Sequence, residues 1–524
     1  MLLLQAVFLP IILAPLIYFI GLRIGKNVGW LAFLILFYCT SLLLYSGFSS
    51  PEHLESYNWE PIGEFGLFLD GLSFPFAAII YILSTVIAMY SIPYMVHRIK
   101  EDLHSKKAIS DTVNRKISLY YALYLVYAAG MLGTVLATNL IQFYIFFELM
   151  LIPSFFLIAE FGYGERQKIS LMYFLWTHVG AIFLLGGILT IGLFGGSFNF
   201  FDLNESGLPS SLRVWVGIAI SVGLLTKLAA AGLHVWLPYA HAESPTPISA
   251  LLSPAMIGIG AYAFLRIFLF ILPSIYPTIV FAISLWGLLT MIYGGLMAYA
   301  QDDLKRLLAY SSVSQMGYII FGMGSLYYLG VTGSVFHYVS HGTGKALLFM
   351  AAGSIIMQTG GVRSIKKLGG LGSKLPITGI AAMIGFLAIV GVPPTNGFQS
   401  EWMIFAGSFA GALETGSTGK LILTAIALAG TPITAGYALL TIRKVFFGEL
   451  PSEFKNIKDP SFHITIPLLF LSFPSRNIFQ LLTSIAFLML QLTIRQWPLL
   501  CDCFGLVPRQ SRDFPVPARP EIKR

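Results

Sequence analysis

Charge is scarce in this chain: Asp, Glu, Lys and Arg make up 11% of 524 residues, against 56% hydrophobic residues. That leaves too little polar surface to clothe a water-soluble domain of this size, so the composition is that of a polytopic membrane protein. Cysteine is nearly absent. Cys39 lies in an apolar run, and Cys501 and Cys503 have no second ligand pair, which argues against a metal site. Nucleotide-binding loops are missing as well: Gly258-Ile259-Gly260 falls inside an apolar helical run, where small residues allow close helix packing. "GLGSK" at 370–374 lacks the rest of a Walker motif. No nucleotide, haem or iron–sulfur site is expected in the chain. Short alternating strands of the barrel type are not found, which leaves helices as the spanning elements.

What is present is a series of apolar runs of about 17–25 residues, the length that carries a helix across the hydrocarbon core. They fall near 2–21, 28–47, 72–95, 118–136, 139–161, 169–194, 214–236, 249–271, 277–299, 307–329, 334–357, 376–396, 401–445 and 461–494, the run at 401–445 being long enough to include a re-entrant start. The expectation is an all-α polytopic membrane protein of about 14 spans. The first run has no basic leader and no small-residue cleavage site, so it reads as a retained span.

Basic residues fall on alternate loops, which orients the bundle. One set carries Arg23 and Lys26; Arg98, Lys100, Lys106, Lys107, Arg115 and Lys116; Arg166 and Lys168; Lys305 and Arg306; Arg363, Lys366, Lys367 and Lys374; and Arg443, Lys444, Lys455 and Lys458. The other set is acidic or neutral, with Glu52, Glu55, Glu60, Glu64, Asp202 and Glu205. This alternation puts both termini outside. It also assigns the net charge of +8 to topology and not to nucleic-acid binding.

Against that background a few ionisable residues sit where lipid-spanning helices should have none. A charge at the centre of such a helix costs roughly 2.5–3.5 kcal/mol even on lenient scales. Glu148 lies in the middle of "LIQFYIFFELMLIPSFFLIAE", five residues before Pro153, and Lys227 lies eleven residues before Pro238. A structural ion pair or a snorkelling side chain is the plain alternative, and neither residue is near enough to a span end to snorkel. Pro238, Pro245 and Pro247 should break the chain where His234, His241 and Glu243 appear, and irregular backbone at membrane depth must be buried in protein or line a wet cavity. His234 alone reads equally well as a satisfied core histidine. With His241 it reads as a relay, since histidine titrates near neutral pH.

The later half repeats the pattern. "SVFHYVSHGTGKALLFMAAG" sets His337, His341 and Lys345 four residues apart on one helix face, and Glu401 follows the interruption in "GVPPTNGFQSEWMIF". A charged helix followed by a Pro/Gly-broken one, twice over, is the arrangement of an inverted repeat with sites at its interface.

These motifs carry a family resemblance. "TNLIQFYIFFELMLIPSFFLI", "KLAAAGLHVWLPYAHAESPTPISALL", "DDLKRLLAYSSVSQMGYI", "HGTGKALLFMAAG" and "VPPTNGFQSEWMI" resemble, in collinear order over roughly residues 60–460, the antiporter-like membrane subunits of respiratory complex I. "LFLDGLSFPF" and "AHAESP" are most similar to the chain M, or subunit 4, branch. The resemblance implies two inverted five-helix repeats with broken seventh and twelfth helices. It divides the chain into helices 1–3 with a basic loop (1–117), a first repeat (118–272), a second repeat (273–446), and a last helix with an atypical tail (447–524).

It further implies proton translocation coupled to quinone reduction. Glu148 would pair with Lys227, and Lys345 and Glu401 would serve the second half, with His241, His337 and His341 as relay positions. NADH or a related donor, flavin, iron–sulfur clusters and quinone would belong to partner subunits of the membrane arm and its attachments. An adjacent carboxylate favours the charged lysine and desolvation the neutral one, so moving the Glu148 charge would switch Lys227 between holding and releasing a proton. The bilayer would be a prokaryotic cell membrane, with an organellar inner membrane as the alternative.

Two departures stand out. The family's eighth-span lysine is missing, its place falling near Gly258, so the link between halves must run through His241, His337 or water. After "ITIPLLFLSF" the tail from about residue 473 resembles nothing in the family, as a shifted reading frame or a recent extension would. A subunit of a multisubunit cation/proton antiporter or membrane-bound hydrogenase shares these motifs. A solute transporter fits less well, because the titratable groups form a line instead of one pocket, and a structural scaffold would not explain the buried charges.

Overall fold

A computed structural model describes residues 1–50, 52–60, 63–103, 110–203 and 207–472. Lys106, Lys107, Glu205, Cys501, Cys503, the tail and the later part of the run at 461–494 lie outside the described residues. The chain is a multi-pass helical membrane protein. Among the described residues nine helical stretches are long and apolar enough to cross a membrane, the first of them, Leu2–Ser49, comprising two helices.

Helices α1 (Leu2–Ile24) and α2 (Val28–Ser49) are joined by a 3₁₀ turn. A two-stranded antiparallel hairpin follows, β1 (His53–Trp59) and β2 (Gly63–Leu69), a small addition to a predominantly helical fold. Its strands are rich in aromatic residues, which suit a pleated, half-buried surface, and Tyr57 stands opposite Phe65. The hairpin is tied down at both edges. Glu55 accepts hydrogen bonds from the Leu3 and Leu4 amides, each 3.0 Å, at the start of α1. Gln142 pairs with Gly66 through both its amide atoms, at 2.8 and 3.2 Å, so the strand edge is satisfied by a helix end.

Next come α3 (Ser73–Asp102), α4 (Ser110–Leu136), α5 (Leu140–Phe161) and α6 (Arg166–Gly195). Asn139 begins α5 by accepting from the Ile141 and Gln142 amides, groups that have no partner within the helix. The seventh span is broken into α7 (Ser210–Lys227) and α8 (Trp236–Glu243). The eighth is α9 (Thr246–Leu251), a π-helical turn at Leu252–Met256 and α10 (Ile259–Phe270). Then α11 (Tyr276–Tyr299) leads to α12 (Leu304–Met323), which Asp303 caps, and to α13 (Tyr328–Gln358).

The run expected at 401–445 is not one span. The structure has α14 (Pro376–Val390), α15 (Asn396–Glu414), α16 (Thr418–Gly430) and α17 (Pro432–Phe446), because Gly416 turns the chain at φ +61° and Pro432 cannot continue a helix. The described chain closes in α18 (Phe462–Ser472).

Helix α13 occupies the centre. Every residue from Gly330 to Ile356 is buried, and the helix packs against α3, α9, α12, α14, α15 and α18. A helix with no exposed face has to lie inside the bundle. His337, His341 and Lys345 are therefore interior by the position of their helix and not by side-chain orientation alone.

Candidate functional site

The two helix breaks position the site. Past Lys227 the chain leaves helical geometry, with Ala229 at φ +51° and Gly232 at φ +87°. Backbone groups freed at this depth need partners, and neighbouring side chains supply them. Trp236 donates to the Thr226 carbonyl (3.1 Å), Thr290 accepts from the Ala231 amide (3.0 Å), Trp286 donates to the Ala231 carbonyl (2.9 Å) and Trp176 to the Leu233 carbonyl (2.9 Å). The break is a built feature held by α6 and α11.

Lys227, the last residue of α7, is buried, and its ammonium has no hydrogen-bond partner among the described residues. It lies over the Phe147 ring, 4.7 Å from the centroid, a cation–π contact that compensates part of its desolvation. Glu148, the next residue along α5, is within electrostatic reach of Lys227. The two do not form the direct pair that the resemblance implies. One Glu148 oxygen, Oε1, is buried and has no hydrogen-bond partner among the described residues, and the other, Oε2, lies 3.2 Å from Nδ1 of His178 on α6.

The second break lies between α14 and α15. Gly391, at φ +71°, ends α14, and a β-carbon there would come within 2.7 Å of the Glu401 carboxylate. Glu401, buried on the first turns of α15, uses the space that glycine leaves open, and its Oε1 has no partner among the described residues.

Beside it, Ser400 faces Nδ1 of His337 at 3.0 Å, while Nε2 of His337 faces Oε1 of Gln315, on α12, at 2.9 Å. Both protonation states of this ring find partners. The neutral ring donates from Nε2 to Gln315 and accepts the Ser400 hydroxyl proton at Nδ1. A protonated ring donates from both nitrogens, and the Ser400 hydroxyl turns to the Gly397 carbonyl, 2.9 Å away.

Lys345 donates to the Leu308 carbonyl at 3.1 Å and to the Ser311 hydroxyl, both on α12, and not to Glu401. His341 is within electrostatic reach of Lys345, His337 and His241, and neither of its ring nitrogens has a hydrogen-bond partner among the described residues. His241, on α8, stacks on Phe349 with ring centroids 5.0 Å apart and is likewise unpartnered. His341 thus lies within reach of His241 on one side and of Lys345 and His337 on the other, and Ser400 links His337 to the turn that carries Glu401.

The fold accounts for three further positions. Gly258 could not carry the missing lysine, because a β-carbon there would collide with the Tyr338 ring, which stacks on Phe76 at 4.2 Å. His234 is the satisfied core histidine: its Nδ1 accepts from the Gly232 amide at 3.2 Å, and its ring packs on Tyr293. Lys305, expected among the loop charges, is fully buried and donates to the Ser244 carbonyl at 2.5 Å, which anchors the loop after α8. His178 and Gln315 are the residues that sequence reading missed. Each is a polar residue on an apolar helix, and only the fold shows what it faces. Among the described residues no group of three or more His, Cys, Asp or Glu is placed to hold a metal ion.

The chain is similar in sequence and fold to known proteins. The family described as "NADH:quinone oxidoreductase/Mrp antiporter, TM" matches residues 137–427, and that described as "NADH-Ubiquinone oxidoreductase (complex I), chain 5 N-terminus" matches residues 59–102. F(420)H(2) dehydrogenase subunit M of Methanosarcina mazei is 33% identical over 473 residues, covering 86% of this chain and 89% of the relative. Na(+)/H(+) antiporter subunit A1 of Staphylococcus haemolyticus is also 33% identical, over 85% of this chain and 56% of that longer protein. Among solved structures, a chain of respiratory complex I from Thermus thermophilus superposes with a TM-score of 0.78 at 26% identity, over 94% of this chain and 99% of that one.

Proposed function

We propose, from the fact that this chain belongs to the NADH:quinone oxidoreductase/Mrp antiporter family of membrane subunits, that it is a proton-translocating membrane-arm subunit of a complex I-like quinone oxidoreductase. The observation that carries this reading is a set of ionisable side chains in the spanning helices, with Lys227, His241, His341, Lys345, His337 and Glu401 buried and Glu148 half-buried, which falls in both halves and beside both helix breaks.

Charges that lack hydrogen-bond partners inside a bundle are costly to keep, and a protein retains them where their charge state changes during function. In this reading Glu148 and Lys227 form the switch. When the carboxylate approaches Lys227 the ammonium is stabilised, and when it withdraws the desolvated lysine gives up its proton. Lys345 receives through His241 and His341 and passes the proton to Glu401, with His337 and Ser400 beside it as the group that can hold or hand on a proton without losing its partners. Lysine and histidine along the row favour protons over sodium, which would call for a cage of oxygen ligands.

The chain acts in this reading as a non-redox subunit. The donor site for NADH or a related reductant, the flavin, the iron–sulfur clusters and the quinone would reside on partner subunits. The second reading, a subunit of a stand-alone cation/proton antiporter, is favoured by the Na(+)/H(+) antiporter relative.

One experiment separates the two. In vesicles carrying the assembled complex, Lys227→Ala is expected to lower donor-driven proton uptake and quinone reduction together, as coupling demands. If quinone reduction is untouched and sodium tolerance is lost, the antiporter reading replaces this one.

A further inference from the structure

Glu148 stands between two basic groups on different sides. Inward, Lys227 lies over the ring of the neighbouring Phe147, with no hydrogen-bond partner among the described residues. Outward, His178 offers Nδ1 to Oε2 at 3.2 Å, and its side chain is 40% exposed where that of Glu148 is 17% exposed. The histidine ring does not owe its orientation to the carboxylate, since it stacks nearly parallel, at 8°, on Phe174 one turn earlier in α6.

The distance between the two basic groups is fixed by packing. At Gly180 of α6 a β-carbon would lie 2.7 Å from that of Thr226 in α7, and at Gly223 of α7 one would lie 2.7 Å from the Gly180 carbonyl. The helices carrying His178 and Lys227 therefore touch closely at Gly180 and Gly223, which sets their spacing. What can move is the Glu148 side chain, with one oxygen held and one free.

We propose that His178 is a positioning residue that holds the Glu148 carboxylate on the perimeter side of the bundle, in the arrangement that leaves Lys227 unpaired. Exchange of the carboxylate between His178 and Lys227 is then the movement by which the first half of the row changes state. This rests on the proton-translocating reading above and adds to it the second partner that a two-position switch requires. Tyr144 of α5 and Tyr173 of α6, like Lys227, are within electrostatic reach of the carboxylate.

The test compares the assembled complex in membrane vesicles carrying wild type, His178→Leu, His178→Asn and Glu148→Gln, with donor-driven proton uptake measured against donor oxidised. His178→Leu removes the hydrogen bond to a charged group and should slow uptake about tenfold. Asparagine places a donor near the position of Nδ1 and should recover at least half of the wild-type rate, a rescue that a role in packing alone would not give. Wild-type uptake in His178→Leu, or asparagine failing as leucine does, overturns the proposal while Glu148→Gln still stalls the pump. If the leucine variant does not assemble, the asparagine variant alone decides, by the same threshold. Normal uptake in Glu148→Gln would overturn the underlying reading as well.

Discussion

Arg266 and Asp70 lie 196 residues apart in the sequence and meet inside the protein through two parallel hydrogen bonds of 2.7 and 2.9 Å. Both are buried, and Asp70 also accepts from the Ser73 amide at 2.8 Å. This pair ties the end of the hairpin to α10, the second helix of the eighth span.

Removing one partner of such a pair leaves the other charge buried alone, which costs about 3–5 kcal/mol. Asp70→Asn is expected to lower the thermal midpoint of the solubilised protein and the yield of assembled complex. Replacing both residues by apolar ones of similar volume should do less harm than Asp70→Asn alone. Equal loss in the single and double variants would show that the pair is not what holds this contact.

Gly391 makes a local prediction about the second half. Its positive φ and the carboxylate packed against its α-carbon both argue against a side chain. Gly391→Ala should cost about 1–3 kcal/mol in backbone strain and displace Glu401. Proton uptake should fall more than quinone-site binding does, and an alanine variant with unchanged uptake would remove Glu401 from the row.

Outside the membrane, Asp302 links two loops. The Ser364 hydroxyl, at 2.6 Å, is the main influence holding its carboxyl below the usual carboxylate range; burial opposes it, and the Lys366 amide, at 3.1 Å, adds to the lowering. A carboxyl depressed in the folded state stabilises fully above its unfolded pKa of about 4, and this contribution disappears as pH falls through the lower folded value. Proteolysis within residues 300–304 and 362–368 should therefore rise as pH drops below about 4. Asp302→Asn should already be susceptible at neutral pH and show little further change.

Much of the site was visible in the sequence because it violates the rules of its surroundings. Glu148 and Lys227 are charges in runs built for lipid, and the prolines after Lys227 announce a break that the structure has. Periodicity reveals a buried position but not its partner. So Lys305 reads as a loop charge, and nothing in the sequence singles out Arg266 or His178. The hairpin escaped for a related reason: its strands are short, and the aromatic residues that favour pleated structure are also common at membrane interfaces. The split of the run at 401–445 was encoded in Gly416 and Pro432, whose effect apolar length alone conceals.

The central claim is that the charge of Glu148 governs the row. Its most direct test is proton uptake per quinone reduced in vesicles bearing Glu148→Gln, with assembly verified. Glutamine keeps the shape and removes the charge, so the account predicts that uptake and quinone reduction both fall by about tenfold or more, as expected when a charged partner is lost at a buried site. Uptake at the wild-type ratio and rate in the assembled variant would contradict it.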